Sequence, residues 1–335
     1  MSGRGRDAPS ADQLAGCLLG HALGDALGFV VEAQPPEAAR AYVNQWLRTG
    51  RAVERHHPQY PFGQYSDDTQ LARELLRSVR ERGAWDPAAF ARRIAELFRE
   101  RRDVGAGQGT RSAALRLLMG VPWSESGTAA PYAGNGSAMR AGPLGLLFTD
   151  PDKVGRAARE QSRITHLDSR CAAGAVSVAL AVSIAGRRVS IHPPQFLDEI
   201  ARRAEQDDPS FGAAIRGLAE WVSLPPEAAA VHVHRTGLDP MHPRWQGISA
   251  FVIPSVLWSL YAFLRSPDDY WETICTAIAV GGDTDTMAAI AGAISGARLG
   301  LAALPQDLLA CLTDQGEWGT AELIQLARAC AGLCG

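Results

Sequence analysis

The sequence predicts an all-α protein, and three observations carry the prediction. Apolar residues recur mostly at three- and four-residue spacings, strict alternation over five or more residues is scarce, and alanine and leucine dominate. With 335 residues, 46% of them hydrophobic and no break in composition, the chain has the material for one large bundled domain over 11–335, behind a disordered tail at 1–10.

Taken in order, the first helix is expected within 13–32 (QLAGCLLGHALGDALGFVVE), where Ser10 and Gln13 form a capping box. Gly16, Gly20, Gly24 and Gly28 fall on one stripe of it. Each glycine costs about 1 kcal/mol of helix propensity relative to alanine. The stripe therefore calls for a compensating cause, close approach of a neighbouring helix ahead of room for a ligand. The next helix, 67–82, opens on SDDT and is closed by Gly83. Helices follow at 87–102, 109–119, 139–148, 151–163, 169–186, 194–206 and 209–223. Residues 224–247 (LPPEAAAVHVHRTGLDPMHPRWQG) are rich in Pro, Gly and His and lack a sustained period. They read as an excursion over the surface, with HVH at 232–234 in a polar strand or loop. Helices resume at 248–265 and 268–279 and close the chain at 285–303, 305–313 and 319–332.

A net charge of -3 with 21% charged residues gives no indication of binding to nucleic acid or an anionic membrane surface. The six cysteines (Cys17, Cys171, Cys275, Cys311, Cys330, Cys334) form no CxxC pair and mostly sit in apolar helical patterns, so reduced thiols and a cytoplasmic location are expected. The polar N-terminus MSGRGRDAPSADQ has no apolar signal region, and the apolar run 248–264 is short for a membrane span and broken by Pro254. Neither export nor membrane insertion is expected.

Two acidic helix mouths stand out. In GGDTDTMAAIAGAISGA (281–297), Asp283 and Asp285 open a helix that is apolar on every face and so belongs in the interior. An N-cap explains one carboxylate; the second needs a partner, because a buried unpaired carboxylate is costly. In YSDDTQ (65–70), Ser66, Asp67, Asp68 and Thr69 open another helix, where capping and the helix dipole would suffice for either acid taken alone. Brought together, the four aspartates and the hydroxyls of Ser66, Thr69, Thr284 and Thr286 would make an all-oxygen site. Such a site suits Mg²⁺, Mn²⁺ or Ca²⁺ and argues against zinc. Between the two mouths, Gly134, Asn135, Gly136 and Ser137 lead into a helix expected near Met139, where backbone N–H groups can cradle an anion; NG is also a common turn. His166 precedes a helix with Asp168 or Ser169 as N-cap, and taken alone reads as a polar loop histidine.

GDALGFVVE (24–32), YSDDTQ (65–70), GNGSAMR (134–140), ITH (164–166) and GGDTDTMAAIAGAISGA (281–297), in that order, resemble the ADP-ribosylglycohydrolase family, which includes the dinitrogenase reductase-activating glycohydrolases. The resemblance runs over 11–305 and implies a single compact orthogonal helical bundle of that type, holding two Mg²⁺ (or Mn²⁺) ions and releasing ADP-ribose from a modified acceptor. Residue by residue, it implies metal ligands at Asp67, Asp68, Asp283, Asp285 and Thr286. Ser66, where many members have threonine, is a further ligand that keeps the hydroxyl. Glu32 is implied as a gate or acid/base, with Asp68 and Asp283 beside it at the reacting centre. Asn135, Gly136, Ser137 and Met139, with Gly134, match the loop that holds the phosphates and distal ribose, and His166 a contact to ADP-ribose. Asp103, in RRDVGAGQGTR, resembles an aspartate that reaches the pocket, and Tyr132 is placed to stack on adenine.

The implied chemistry is hydrolysis at the anomeric carbon of the proximal ribose. ADP-ribosyl-arginine on protein is the first-choice substrate, with serine-, nucleic-acid- and small-molecule-linked ADP-ribose as alternatives and a monomer as the default state. Two rivals stand beside this reading. One is a non-catalytic ADP-ribose-binding protein on the same scaffold, which retention of every expected acid weakens. The other is a metal-dependent phosphoesterase, which would want His56, His57, His232, His234 or His242 near the carboxylates.

Overall fold

The computed structural model describes residues 10–237 and 245–334, so the tail expected at 1–10 lies, apart from Ser10, outside the described residues, as does His242. Among the described residues there are sixteen α-helices and no strand beyond isolated bridges. They are α1 (Ala11–Phe29), α2 (Pro36–Tyr42), α3 (Asp67–Arg82), α4 (Pro87–Arg99), α5 (Gln108–Leu118), α6 (Leu144–Leu147), α7 (Pro151–Thr165) and α8 (Ser169–Arg187). The second half adds α9 (Pro193–Ala204), α10 (Pro209–Trp221), α11 (Pro226–Arg235), α12 (Val252–Arg265), α13 (Tyr270–Ala279), α14 (Thr284–Leu299), α15 (Gln306–Leu309) and α16 (Thr320–Cys330). The helix starts are chemically explicit: Ser10, Ser66, Asp86, Asp150, Asp168, Asp208 and Asp269 each accept a first-turn backbone N–H, an interaction worth about 1 kcal/mol. Ser10 and Gln13 complete the expected capping box. Gly83 closes α3 at φ 66°, a left-handed position that suits glycine.

The glycine stripe is a helix-packing surface. Gly16, Gly20, Gly24 and Gly28 meet, in reverse order along α14, the backbone of Gly296, Gly292, Ala288 and Thr284, so α1 and α14 run antiparallel at near backbone contact. A Cβ on any of the four would fall on an opposing carbonyl. Two side chains pin the pair: Thr284 Oγ1 donates to the Gly28 carbonyl at 2.8 Å, and Tyr270 of α13 donates to the Gly20 carbonyl at 2.8 Å. Both helices are buried along nearly their whole length, and α8 and α12 complete the centre of the core. By length and composition α8 could cross a bilayer (mean hydropathy 1.5), yet 83% of that window is buried inside the protein, as in a core helix. All six cysteines are free thiols.

The structure corrects four local expectations. The helix expected over 139–148 is reduced to Leu144–Leu147; Pro143 has no N–H to carry a helix through, and Ala138–Leu144 makes successive i→i−3 turns instead. Residues 226–235 are helical, so HVH at 232–234 is neither strand nor loop; Pro226 at the first helical position starts α11, and Ala229 and Val233 are its buried face. The stretch 33–64, which lies between the first two helices expected from sequence, contains α2, a π-helical turn over Val43–Leu47 and a 3₁₀ turn over Ala52–Glu54. Residues 248–251 precede α12 in extended pairing with Gly282 and Gly134 rather than extending the helix.

Close α1–α14 approach predicts opposite effects of one substitution at two helical glycines. Gly24→Ala places a methyl on the Ala288 carbonyl and should lose about 1–3 kcal/mol. Gly217→Ala in α10, where the added Cβ meets only Trp221 at 3.7 Å, should gain about 0.4–1 kcal/mol. Urea unfolding midpoints of the two variants check this; equal shifts would remove the packing argument.

Candidate active site

Antiparallel docking sets the C-terminal end of α1 beside the N-terminal end of α14, and α3 begins next to both. Asp67, Asp68, Asp283, Asp285 and Thr286 consequently line one cavity of about 220 Å³, together with Glu32 from the turn that follows α1. Ligand-capable oxygens of Glu32, Asp283 and Asp285 all lie within 4.8 Å of one another. The backbone around them is held by glycines. Gly281 and Gly282 both take left-handed conformations (φ 72° and 86°), and a side chain on Gly282 would strike Ile248. Gly282 exchanges hydrogen bonds with the Gln34 and Ala33 backbone (2.9 and 2.8 Å), and Asp283 N–H donates to the Ile248 carbonyl at 2.8 Å. Asp283 thus stands at the N-cap position of α14, but its side chain makes no capping bond. Its Oδ2 instead accepts the Asn135 amide, which also donates to Ser255 at 3.0 Å.

Burial is the leading influence on every carboxylate here. It pushes Glu32 up to about 7, with the charges of Asp283 and Asp25 adding to the shift. Asp67, Asp68 and Asp285 lie well above the usual carboxylate range, from burial first and then from neighbouring carboxylates, led by Asp25 for Asp67 and Asp68 and by Glu32 for Asp285. Asp283 is raised by burial, against hydrogen bonds from Asn135, Asp285 and Thr286. Among the described residues no lysine or arginine forms an ion pair with Asp67, Asp68, Asp283 or Asp285. Asp68 Oδ1 and Asp285 Oδ1 are buried with no hydrogen-bond partner. Orphaned carboxylate oxygens on two residues that line one polar cavity fit a hard divalent cation, whose ligands are oxygens.

The opposite end of the cavity is neutral. Gly107, Gln108, Gly109 and Thr110 at the start of α5 face Gly134, Asn135, Gly136 and Met139, with Tyr132, His166, Trp245 and Ala250 completing the wall. Tyr132 Oη accepts the Gly109 N–H at 3.1 Å, and its ring lies 5.8 Å from that of His166. Burial and then Arg140 bring His166 down to about 3, so its imidazole is neutral at physiological pH. Arg140 donates to Thr165 Oγ1 at 2.8 Å, and that hydroxyl is 2.8 Å from His166 Nδ1. With the hydroxyl proton given to Nδ1, the ring proton resides on Nε2, which faces Gly109, Gly134 and Gly136.

An acidic cluster in one cavity with the Gly134–Met139 loop and His166 is what the sequence resemblance implies, and the ADP-ribosylglycohydrolase family model matches residues 6–335. The chain belongs to the ADP-ribosylglycohydrolase family. Human ADP-ribosylhydrolase ARH3 is 29% identical, over 89% of this chain and 88% of its own length. The ADP-ribosyl-[dinitrogen reductase] glycohydrolase of Rhodospirillum rubrum is 28% identical, over 96% and 97%. An uncharacterised Archaeoglobus fulgidus protein reaches 31% identity over 91% and 92%. Among solved structures, an ADP-ribosylglycohydrolase-related protein complex superposes with a TM-score of 0.70 at 27% identity, covering 96% of this chain and 97% of that one. Membership makes the protein an ADP-ribosyl glycohydrolase, acting on ADP-ribosylated substrates.

Within this family frame, several residues fall elsewhere than the sequence implied. Asp103 does not line the cavity; it lies 2.9 Å from Arg111 in an ion pair, and its charge reaches the site only by raising Asp67. Ser137 turns away beneath its loop, donating to the Cys171 carbonyl at 3.2 Å and accepting from Ser162 at 3.0 Å. Ser66 is buried under the turn, with its hydroxyl 3.2 Å from Asp68 Oδ2. His166 is a buried C-cap rather than a polar loop residue, with Asp168 as the next N-cap. Sequence reasoning missed Asp25 and the α5 start, although GAGQG at 105–109 carried the glycine signal, and it passed over Trp245.

The upward shifts fix a sign. Unfolded carboxylates titrate near pH 4. The folded, metal-free chain holds its protons to higher pH, so its extra stability is present in acid and lost as pH rises through the folded values, about 7 for Glu32. Thermal unfolding in EDTA should show Tm falling between roughly pH 5 and 8 from these groups. Added Mg²⁺, which binds the ionised form, should raise Tm increasingly over the same interval. A metal-free Tm that climbs with pH and ignores Mg²⁺ would contradict this electrostatic account.

Proposed function

We propose that the protein is a cytoplasmic, Mg²⁺-dependent hydrolase that removes ADP-ribose from arginine side chains of modified proteins, with two divalent ions (Mg²⁺, or Mn²⁺) at the acidic end of its cavity. The observation that carries this reading is the convergence of two acidic helix mouths around buried, partnerless oxygens of Asp68 and Asp285. Asp67, Asp68, Asp283, Asp285 and Thr286 would hold the ions, with the Ser66 hydroxyl acting through its 3.2 Å bond to Asp68 Oδ2. Bound there, divalent ions supply Lewis acidity toward ribose hydroxyls and lower the pKa of water.

The remaining work falls to the chain's own groups. Glu32, beside Asp283 and Asp285 at the cavity wall, is placed to take and return a proton. In the proposed reaction the water oxygen bonds to the anomeric carbon of the proximal ribose as the C–N bond to the acceptor breaks. The water's proton passes to a carboxylate, Glu32 first, and the departing guanidine nitrogen regains a proton. The α5 start, the Gly134–Gly136 turn and neutral His166 offer hydrogen bonds without fixed charge, suited to holding the nucleotide part. Asn135 and Ser137 are committed within the protein, Asn135 through its side chain to Asp283 and its N–H to the Ala250 carbonyl, Ser137 through its hydroxyl to Cys171, so they support the turn rather than meet the nucleotide directly. Five carboxylates line the cavity, one more negative charge than two divalent ions neutralise, which favours a cationic acceptor such as arginine. The Rhodospirillum rubrum relative is by name a glycohydrolase of an ADP-ribosylated protein, which supports a protein acceptor. His56, His57, His232 and His234 do not line the cavity, which weakens the phosphoesterase alternative.

The purified protein should release ADP-ribose from ADP-ribosyl-arginine substrates when Mg²⁺ is present and not in EDTA, faster than from serine- or nucleic-acid-linked substrates. Asp283→Ala and Asp285→Ala should each abolish that release and Mg²⁺ binding while leaving the far-ultraviolet circular dichroism unchanged. Normal turnover by both variants would reduce the pair to a helix start.

A further inference from the structure

At the start of α3 the two aspartate side chains are not spent on the helix's own first-turn N–H groups. An isolated helix start has four N–H groups without intrahelical partners, and first-turn Asp side chains commonly take them. Here other groups take them. Asp67 N–H donates to the Val104 carbonyl at 2.7 Å and Asp68 N–H to Ser66 Oγ at 3.2 Å. Ser66 N–H donates to Asp25 Oδ1 at 2.9 Å, and Thr69 N–H to Asp25 Oδ2 at 3.0 Å. Thr69 Oγ1 adds a 2.6 Å bond to that same Asp25 oxygen.

Asp25 comes from the middle of α1, is fully buried, and is not part of the cavity wall. Both its oxygens are occupied by donors that flank Asp67 and Asp68, which leaves it poorly placed to serve as a ligand and well placed to hold the turn. One helical turn further along α1, the Gly28 carbonyl accepts the Thr284 hydroxyl at the other acidic mouth. A single turn of α1 therefore grips both halves of the acidic site.

We infer that Asp25 is a positioning residue that caps α3 from α1 and so fixes Asp67 and Asp68 against Asp283 and Asp285; the inference rests on the metal reading proposed above. Its chemistry is that of an outer-shell acceptor, whose loss typically costs about 10–100-fold in metal affinity. Asp25→Asn turns one acceptor oxygen into a donor facing another donor, but it also removes a charge. Thr69→Val keeps the charge and deletes only the hydroxyl bond, and Thr69→Ser restores the hydroxyl.

Isothermal titration of the metal-free full chain with Mn²⁺ and with Mg²⁺, alongside thermal unfolding of each variant, tests the inference. Asp25→Asn and Thr69→Val should weaken binding about tenfold or more, and Thr69→Ser should bind within about threefold of wild type, as an outer-shell hydrogen bond requires. If Thr69→Val binds like wild type, Asp25 acts by charge alone or not at all and the positioning role is overturned. The same holds if Thr69→Ser is weakened as much as Thr69→Val. Should Asp25→Asn fail to fold, the Thr69 pair decides the matter. A wild-type chain that binds neither ion overturns the metal reading itself, an outcome distinct from wild-type binding that the variants leave untouched.

Discussion

Near backbone contact between α1 and α14 is the constraint on which the rest of the structure depends. Four glycines on α1 and two on α14 remove the side chains that would hold the axes at ordinary packing distance. The gain is positional: the end of one helix meets the start of the other, so Glu32, Asp283 and Asp285 share one small volume. Mounting a site on two rigid, buried helices gives a precision that loops do not provide.

That site is assembled against electrostatics. Buried carboxylates crowd together with no ion pair to a cationic side chain among the described residues, and the charge of Arg140 and the partial positive ends of α3 and α14 offset only part of the repulsion. The protein tolerates this local instability because α8, α12 and the α1–α14 pair supply an apolar frame around it. Destabilisation concentrated at the working end of a stable scaffold is a common signature of function.

Much of this was legible in the sequence, and the limits have physical causes. Helix positions were read well where a Ser or Asp cap precedes a periodic run, as for α3, and badly where proline starts a short helix, as for α11. Asp283 and Asp285 were identifiable because acids at the head of an apolar helix need explaining, whereas Asp67 and Asp68 pass alone as capping acids and Glu32 was implied only by the family resemblance. Side-chain direction was not. Ser137 and Asp103 carry suitable chemistry in suitable motifs, yet one bonds downward to Cys171 and the other outward to Arg111. Asp25 was invisible for a related reason: a lone polar residue in a glycine-striped helix shows nothing of the three donors that reach it from residues 66 and 69.

The Thr284–Gly28 hydrogen bond joins residues 256 positions apart along the chain. During synthesis at about 5–20 residues per second, α1 waits on the order of tens of seconds for the helix that packs on its glycine face. Through that interval its small-residue stripe has no partner and the two acidic mouths have not met. Assembly of the site is therefore among the last events of folding, and a growing chain presents the cell with a late-closing helix pair rather than a working catalyst.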